Sequence, residues 1–301
     1  MFMFYSAKPV SVLARSLSFA LLLSAAAVAQ AGEKLKPYVL GSQGAGEVAA
    51  KAAEVKTALT DQGFEIAAQY SPYAGTEILV VSNDATKKNA ALSDFGGYGV
   101  AQRVAVSKAD AQVQVSYTNP VWMANAYRMQ GDMQDVAGKL KAALGASQAF
   151  GSEDGKNADD LREYHYMMMM PYFDDQVELA AYGSYEAAVK AVDAGLSAGK
   201  GGTKKVFQID IPGKKETLFG AAISKGEGAD AGIMKIIDTG KLKHAAHLPY
   251  DVLVTADGKV YMLHGKFRIA QSFPDLGMGS FMEISGAPDA IEEALSAAVS
   301  K

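Results

Sequence analysis

The 301-residue chain contains no cysteine. That excludes a disulfide scaffold, a thiolate nucleophile and any cysteine-ligated zinc or iron–sulfur centre. Basic excess is missing too: 29 Lys and Arg face 33 Asp and Glu, a formal net charge of −4, with no basic run. Nucleic-acid binding rests on neutralising phosphates, so that partner is not expected. The acids are scattered, and no acidic tail offers itself to a cationic partner. Beyond the first 31 residues no apolar stretch reaches the ~20 residues that a helix needs to cross hydrocarbon. What remains is a globular composition, 49% apolar and 21% charged, long enough for one large domain or two small ones.

Three familiar motifs are also lacking. Gly41-Ser42-Gln43-Gly44-Ala45-Gly46 stands between a strand and a helix, but its glycine spacing is wrong for a dinucleotide loop. Gly199-Lys200-Gly201-Gly202-Thr203-Lys204 lacks the P-loop spacing, and Gly279-Ser280-Phe281 is not a nucleophile elbow. The paired carboxylates Asp159-Asp160, Asp174-Asp175 and Glu292-Glu293 suit helix ends and solvated faces better than acid–base chemistry.

What is present begins with a targeting pattern. Lys8 and Arg15 precede an apolar run containing Ala20-Leu21-Leu22-Leu23, which ends in Ala29-Gln30-Ala31. Residues 1–31 therefore read as a secretory signal peptide cleaved after Ala31, too short to anchor the chain. A cysteine-free mature protein suits an oxidising compartment. The expectation is a soluble periplasmic protein without stable membrane insertion after cleavage.

The mature chain reads as one pattern written twice. The first copy, residues 32–148, opens with a strand at Tyr38-Val39-Leu40 and a helix over 47–62, whose Val48, Ala52, Val55 and Leu59 fall at helical spacing. Strands follow at 65–69 and 77–81, then a hairpin at 104–107 and 113–117, then a helix carrying Val136, Leu140 and Leu144. The second copy, residues 175–301, repeats this order: a strand at 177–181, a helix at 185–196, strands at 204–211 and 217–223, and a hairpin at 251–255 and 260–270. Its closing helix runs after Pro288. The hairpins align without a gap, Val104 on Val252, Val106 on Val254, Val113 on Tyr261 and Val115 on Leu263. Each unit is expected to be β-α-β(4)-α, an α+β fold with mostly antiparallel strands, and the pair to pack as an intramolecular pseudo-dimer. Residues 149–174 form a linker whose aromatic and methionine stretch, Met167 to Met170 included, is expected to fill the groove between the copies.

This order, Asn119-Pro120 after the fifth strand of the first copy, and His247-Leu248-Pro249-Tyr250 before the fourth strand of the second, resemble domain of unknown function 302. The resemblance spans nearly the whole mature chain. It implies single units that associate as dimers, hence a tandem pseudo-dimer here, alone or as a homo-oligomer, and it brings no assigned activity. The first copy has Val100-Ala101-Gln102-Arg103 where the second carries its His-x-Leu-Pro region.

Candidate chemistry therefore concentrates in the second copy. His244 and His247 stand three apart, a spacing that puts both rings on one side of a helical turn. On the strand over 260–270, Met262, His264, Lys266 and Arg268 share one face. Imidazole and thioether together are a ligand set for copper, so His244, His247, His264 and Met262 form a candidate metal site, weighed against plain packing roles. Tyr250, Asp251, Lys266, Arg268 and Met278 form a candidate pocket for a small ligand. The loop Phe273-Pro274-Asp275-Leu276-Gly277-Met278-Gly279 is expected to run near the groove. The leading expectation is a non-enzymatic binding or accessory protein with a small ligand or protein partner. A cofactor-independent enzyme and an assembly protein are the alternatives.

Overall fold

Val48, Ala52, Val55 and Leu59 do form one side of a helix, α1 (Val48–Asp61), and the last three are buried. In the computed structural model, which describes residues 1–3 and 34–300, α1 follows β1 (Tyr38–Gly44) and precedes β2 (Glu65–Tyr70) and β3 (Thr76–Ser82). Residues 4–33, which carry the expected targeting run and cleavage point, lie outside the described residues. Next come α2 (Asp84–Ala91), a 3-10 turn at Gly96–Gly99, β4 (Gln102–Ala109), β5 (Gln112–Thr118), α3 (Pro120–Ala126) and α4 (Gln134–Leu144). The join holds β6 (Gln148–Phe150) and α5 (Ala158–Arg162). The rest is β7 (Val177–Ala181), α6 (Tyr185–Ser197), β8 (Thr203–Ile211), β9 (Glu216–Ile223), α7 (Asp230–Ile237), a 3-10 turn at Ala245–His247, β10 (Tyr250–Val254), β11 (Lys259–Met262), α8 (Gly265–Ser272), α9 (Met278–Glu283) and α10 (Ala287–Val299).

The strands make two wholly antiparallel sheets, ordered β2-β3-β4-β5-β1-β6 and β7-β11-β10-β9-β8, so the fold is α+β. Apart from β6, the second order is the first with β7 in the place of β1 and β8 to β11 in the places of β2 to β5. The irregularities correspond as well. β2 bulges at Ala67 and β8 at Val206, while β1 bulges at Gly41 and β7 at Leu179. Counting strand to strand from the first of these bulges reaches the second in step. The helix after each hairpin is capped alike: Asn119 Oδ1 accepts the Val121 N–H and His264 Nδ1 the Lys266 N–H.

One detail of the expected alignment is corrected. Val106 pairs with Val115, and its counterpart Val254 pairs with Val260. Val115 therefore matches Val260 rather than Leu263, because the second hairpin is shorter. A second correction is larger. The strand expected over 260–270 ends at Met262, and Gly265–Ser272 is helix α8. Met262, His264, Lys266 and Arg268 therefore share no strand face.

Helices α1 and α4 cover one face of the first sheet, and α6 and α10 one face of the second. The opposite faces meet the other half. The turn at Ala245–His247 lies over β3, β4 and β5, and the turn at Gly96–Gly99 lies over β9 and β10. Glycine at 97 allows this close approach, because a Cβ would stand 2.5 Å from Leu253 Cδ1 and push that side chain aside. The polar residues of β5 serve this docking. Gln114 donates to the Lys241 carbonyl (2.9 Å) and accepts from the Lys243 N–H (3.1 Å), and Ser116 donates to the Lys243 carbonyl (3.3 Å). Residues 34–300 accordingly fall in one compact unit.

The join packs through its aromatic residues, not its methionines. Leu161, Tyr164 and Phe173 are buried, with Phe173 stacked on Tyr127, whereas Met167, Met168 and Met169 are 43%, 84% and 95% exposed. The expected methionine filling of the groove is therefore wrong. Among the described residues no helix is long and apolar enough to cross a membrane.

Candidate functional site

Asp251, at the start of β10, lies at the centre of a buried ion cluster contributed by both halves. Arg103 Nη2 on β4 stands 2.6 Å from each carboxylate oxygen, and Arg268 Nε on α8 stands 3.8 Å from Oδ2. Arg103 and Asp251 are 148 positions apart, which is the offset between β4 and β10, so they hold corresponding positions in the two sheets. Arg268 Nη1 donates to Ser272 Oγ (2.7 Å) and to His247 Nδ1 (2.9 Å), and its Nη2 donates to the His247 carbonyl. An acceptor at Nδ1 assigns the ring proton to Nε2, 3.3 Å from the Tyr250 hydroxyl. Burial and the neighbouring Arg268 charge hold the His247 pKa well below the usual imidazole value, so the ring is neutral.

The cluster carries two guanidiniums against one carboxylate. Burial pushes the Asp251 carboxyl up, and Arg103 and Arg268 pull it back. Arginine keeps its proton, so the Asp251 carboxylate is the counter-charge that both need. Among the described residues Arg103 Nε and Arg268 Nε have no hydrogen-bond partner, and the void beside them is only about 10 Å³, room for a single water. Tyr250, Asp251 and Arg268 are thus brought together, but as a filled structural centre rather than a ligand pocket. Lys266 sits half-buried on α8, and Met278 is 52% exposed at the start of α9. The five expected ligand residues do not line one cavity.

The expected copper ligands are likewise separated by their partners. His247 is engaged with Arg268, the His264 Nδ1 caps α8, Met262 is buried in β11, and His244 bonds Asp238. Among the described residues no group of three or more His, Asp or Glu is placed to hold a metal ion. The four-residue metal set is corrected on that geometry.

His244 instead faces an open pocket of about 540 Å³, built by both halves. Phe150 and Gly151 come from β6 and the residue after it. Ile237, Leu242, Phe273 and Leu276 come from the second half. The ring is wedged between Phe150 and Phe273, with centroids 5.2 and 4.9 Å away, and meets Tyr38 edge-on at 5.1 Å. Its Nδ1 stands 3.0 Å from Asp238 Oδ1, and the backbone N–H of His244 donates to the same carboxylate. Asp238 terminates α7, so the end of that helix fixes the ring's tilt and tautomer. Nε2 makes no hydrogen bond among the described residues. It lies toward Gly151, whose absent Cβ would come within 3.4 Å of it. The 273–279 loop does border this groove, and Asp275 is held there by the Ser152 hydroxyl and the Glu153 N–H.

Sequence reasoning singled out His244 but not its orienting Asp238, which stands six positions earlier with no motif around it. No protein-family model, curated protein or solved structure matches this chain.

Proposed function

We propose that the chain is an exported, periplasmic, non-enzymatic binding or accessory protein that holds a small ligand in the pocket between Phe150, His244 and Phe273. The observation that carries this reading is His244. Asp238 and three aromatic rings hold it rigid, and its free Nε2 belongs to a cavity whose volume is that of an ordinary small-molecule site. The aromatic walls suit a flat apolar body, and Nε2 suits one polar group on it. An Asp-oriented imidazole is also how a general base is built, which supports the enzyme alternative. Such a base would act on a water or a substrate held in the same pocket.

We also infer that the two halves are copies of one unit, in keeping with the resemblance to domain of unknown function 302. The shared strand order, the corresponding bulges and the Arg103–Asp251 pair at corresponding positions support this.

Native mass spectrometry of protein recovered from the periplasm tests the binding reading. A non-covalent small-molecule adduct is expected, and it should be lost in His244→Leu and Phe273→Ala, each measured where its own melt shows it folded, because truncating the buried Phe273 is itself expected to cost about 3–5 kcal/mol. Protein that carries no adduct and whose midpoint responds to no member of a periplasmic metabolite panel overturns the reading. Turnover of a panel member replaces it with the enzyme.

A further inference from the structure

The lining of the His244 pocket narrows the chemistry of its occupant, a step that rests on the binding role proposed above. Asp238 Oδ1 accepts from Nδ1 at 3.0 Å, so the ring carries its proton there and offers a bare lone pair at Nε2. The His244 side chain keeps 17% of its surface and Asp238 only 4%, so the ring is within reach of the pocket while the carboxylate that orients it is not. Gly151 borders Nε2 with no side chain to cover it. Phe150, Ile237, Leu242, Phe273 and Leu276 make the wall around it apolar. The charged residues of the lining are Lys36, Glu153 and Asp275; the Lys36 ammonium lies on the Glu153 carbonyl, and Asp275 accepts from Ser152 and the Glu153 N–H. With Asp238 behind the ring, acids outnumber the one lysine.

We propose that the occupant is a phenol, a neutral aromatic ring that lies against Phe150, Phe273 and Leu276 and donates its hydroxyl hydrogen to His244 Nε2. A lone pair asks for a donor, which a phenolic hydroxyl supplies and an ether or a carboxylate does not. The excess of acids opposes a carboxylate, whose charge would also lose its water among apolar side chains. An ammonium brings three donors to a single lone pair, and against the apolar wall the other two would go unmet. An aliphatic alcohol offers the same donor without the flat face that Phe150 and Phe273 can stack on or meet edge-on.

The test is a calorimetric titration of the full chain with phenol, anisole, cyclohexanol, benzoate and benzylammonium. Phenol is expected to bind at one site, about threefold or more tighter than cyclohexanol and than anisole, although anisole is the more apolar of the two aromatics. Benzoate and benzylammonium should be about tenfold weaker than phenol or worse. In nitrogen-labelled wild type, phenol should shift the His244 Nε2 resonance while the ring keeps its proton on Nδ1. His244→Phe keeps a ring among the aromatic walls but removes the lone pair, and should bring phenol and anisole within about twofold of each other. The nitrogen resonance decides the matter where His244→Phe fails to fold. Absence of phenol binding, anisole or cyclohexanol binding as tightly as phenol, preference for either charged compound, or phenol binding that leaves the His244 nitrogens unmoved overturns the phenol. The periplasmic adduct separates this failure from that of the pocket itself. An adduct lost in His244→Leu that is not a phenol leaves a binding site with another occupant, whereas no adduct and no response to any compound removes the site.

Discussion

Asp251 and Asp230 are both buried acids of the second half, and burial pushes both carboxyls up. Their partners make them opposites. Asp251 has Arg103 on both oxygens and Arg268 nearby, so its charge holds three elements together. Asp230 has one backbone N–H and no other hydrogen-bond partner among the described residues, and burial lifts its pKa to about 8. The difference teaches that depth alone does not set an acid's role; the count of fixed donors around it does.

The comparison breaks most sharply at Asp251. Asp251→Ala leaves two buried guanidiniums without a counter-charge and should cost about 3–5 kcal/mol in a denaturant melt. Adding Arg103→Met to it should recover a large part of that loss, and a double-mutant cycle reads the coupling. A strictly additive double variant would show that the pair does not act as a unit.

Asp230→Asn should act in the other direction. A folded pKa near 8, against about 4 unfolded, means that the native state holds a proton that the unfolded state has released. The contribution of Asp230 is therefore fullest below about pH 4 and is lost as pH rises toward 8, at up to about 1.4 kcal/mol per pH unit. The asparagine variant escapes that loss and should be more stable than wild type by roughly 1–4 kcal/mol at pH 7, but not at pH 4. His247 has the reverse sign. Its folded pKa lies below the unfolded value, so its contribution is present above about pH 6.5 and is lost as pH falls. The difference between wild-type and Asp230→Asn curves therefore isolates the Asp230 contribution, since His247 is common to both. Equal wild-type and variant curves across pH 4–8 would show that Asp230 is charged in the fold.

The smallest effect sharpens the correspondence of the two halves. Asn is a better helix cap than His, so His264→Asn should add a few tenths to about 1 kcal/mol, and Asn119→His should lose a similar amount. Opposite signs at these two positions are the expected thermal-melt result.

Much of the architecture was legible from periodicity. The spacing of Val48, Ala52, Val55 and Leu59 marked α1, and the run at Val177–Ala181 marked β7. α8 was not legible, because it is buried nearly all round. Phe267 and Ile269 alternate as a strand would, and the cap is a histidine, which is outside the usual cap set. The helical signature, Arg268 bonded to Ser272 four residues on, needs the structure to be seen. The site was half legible. His244 and His247 share a turn as expected, yet one faces outward with Asp238 and the other inward with Arg268. Asp230 carries no motif, and that the first residue of α7 is buried with its carboxyl group on the Ile223 N–H of β9 is seen only in the structure.

Arg103 and Asp251 occupy matching places, one in each sheet. Docked in the same way, two copies of the first half would press guanidinium on guanidinium, and two copies of the second would leave Asp251 without the donor that reaches both its oxygens. Only the mixed arrangement sets Arg103 against Asp251. Which surface meets which is therefore written into the chemistry of the meeting point and not left to the tether, and a polypeptide nicked in its join still has one favoured way to reassemble.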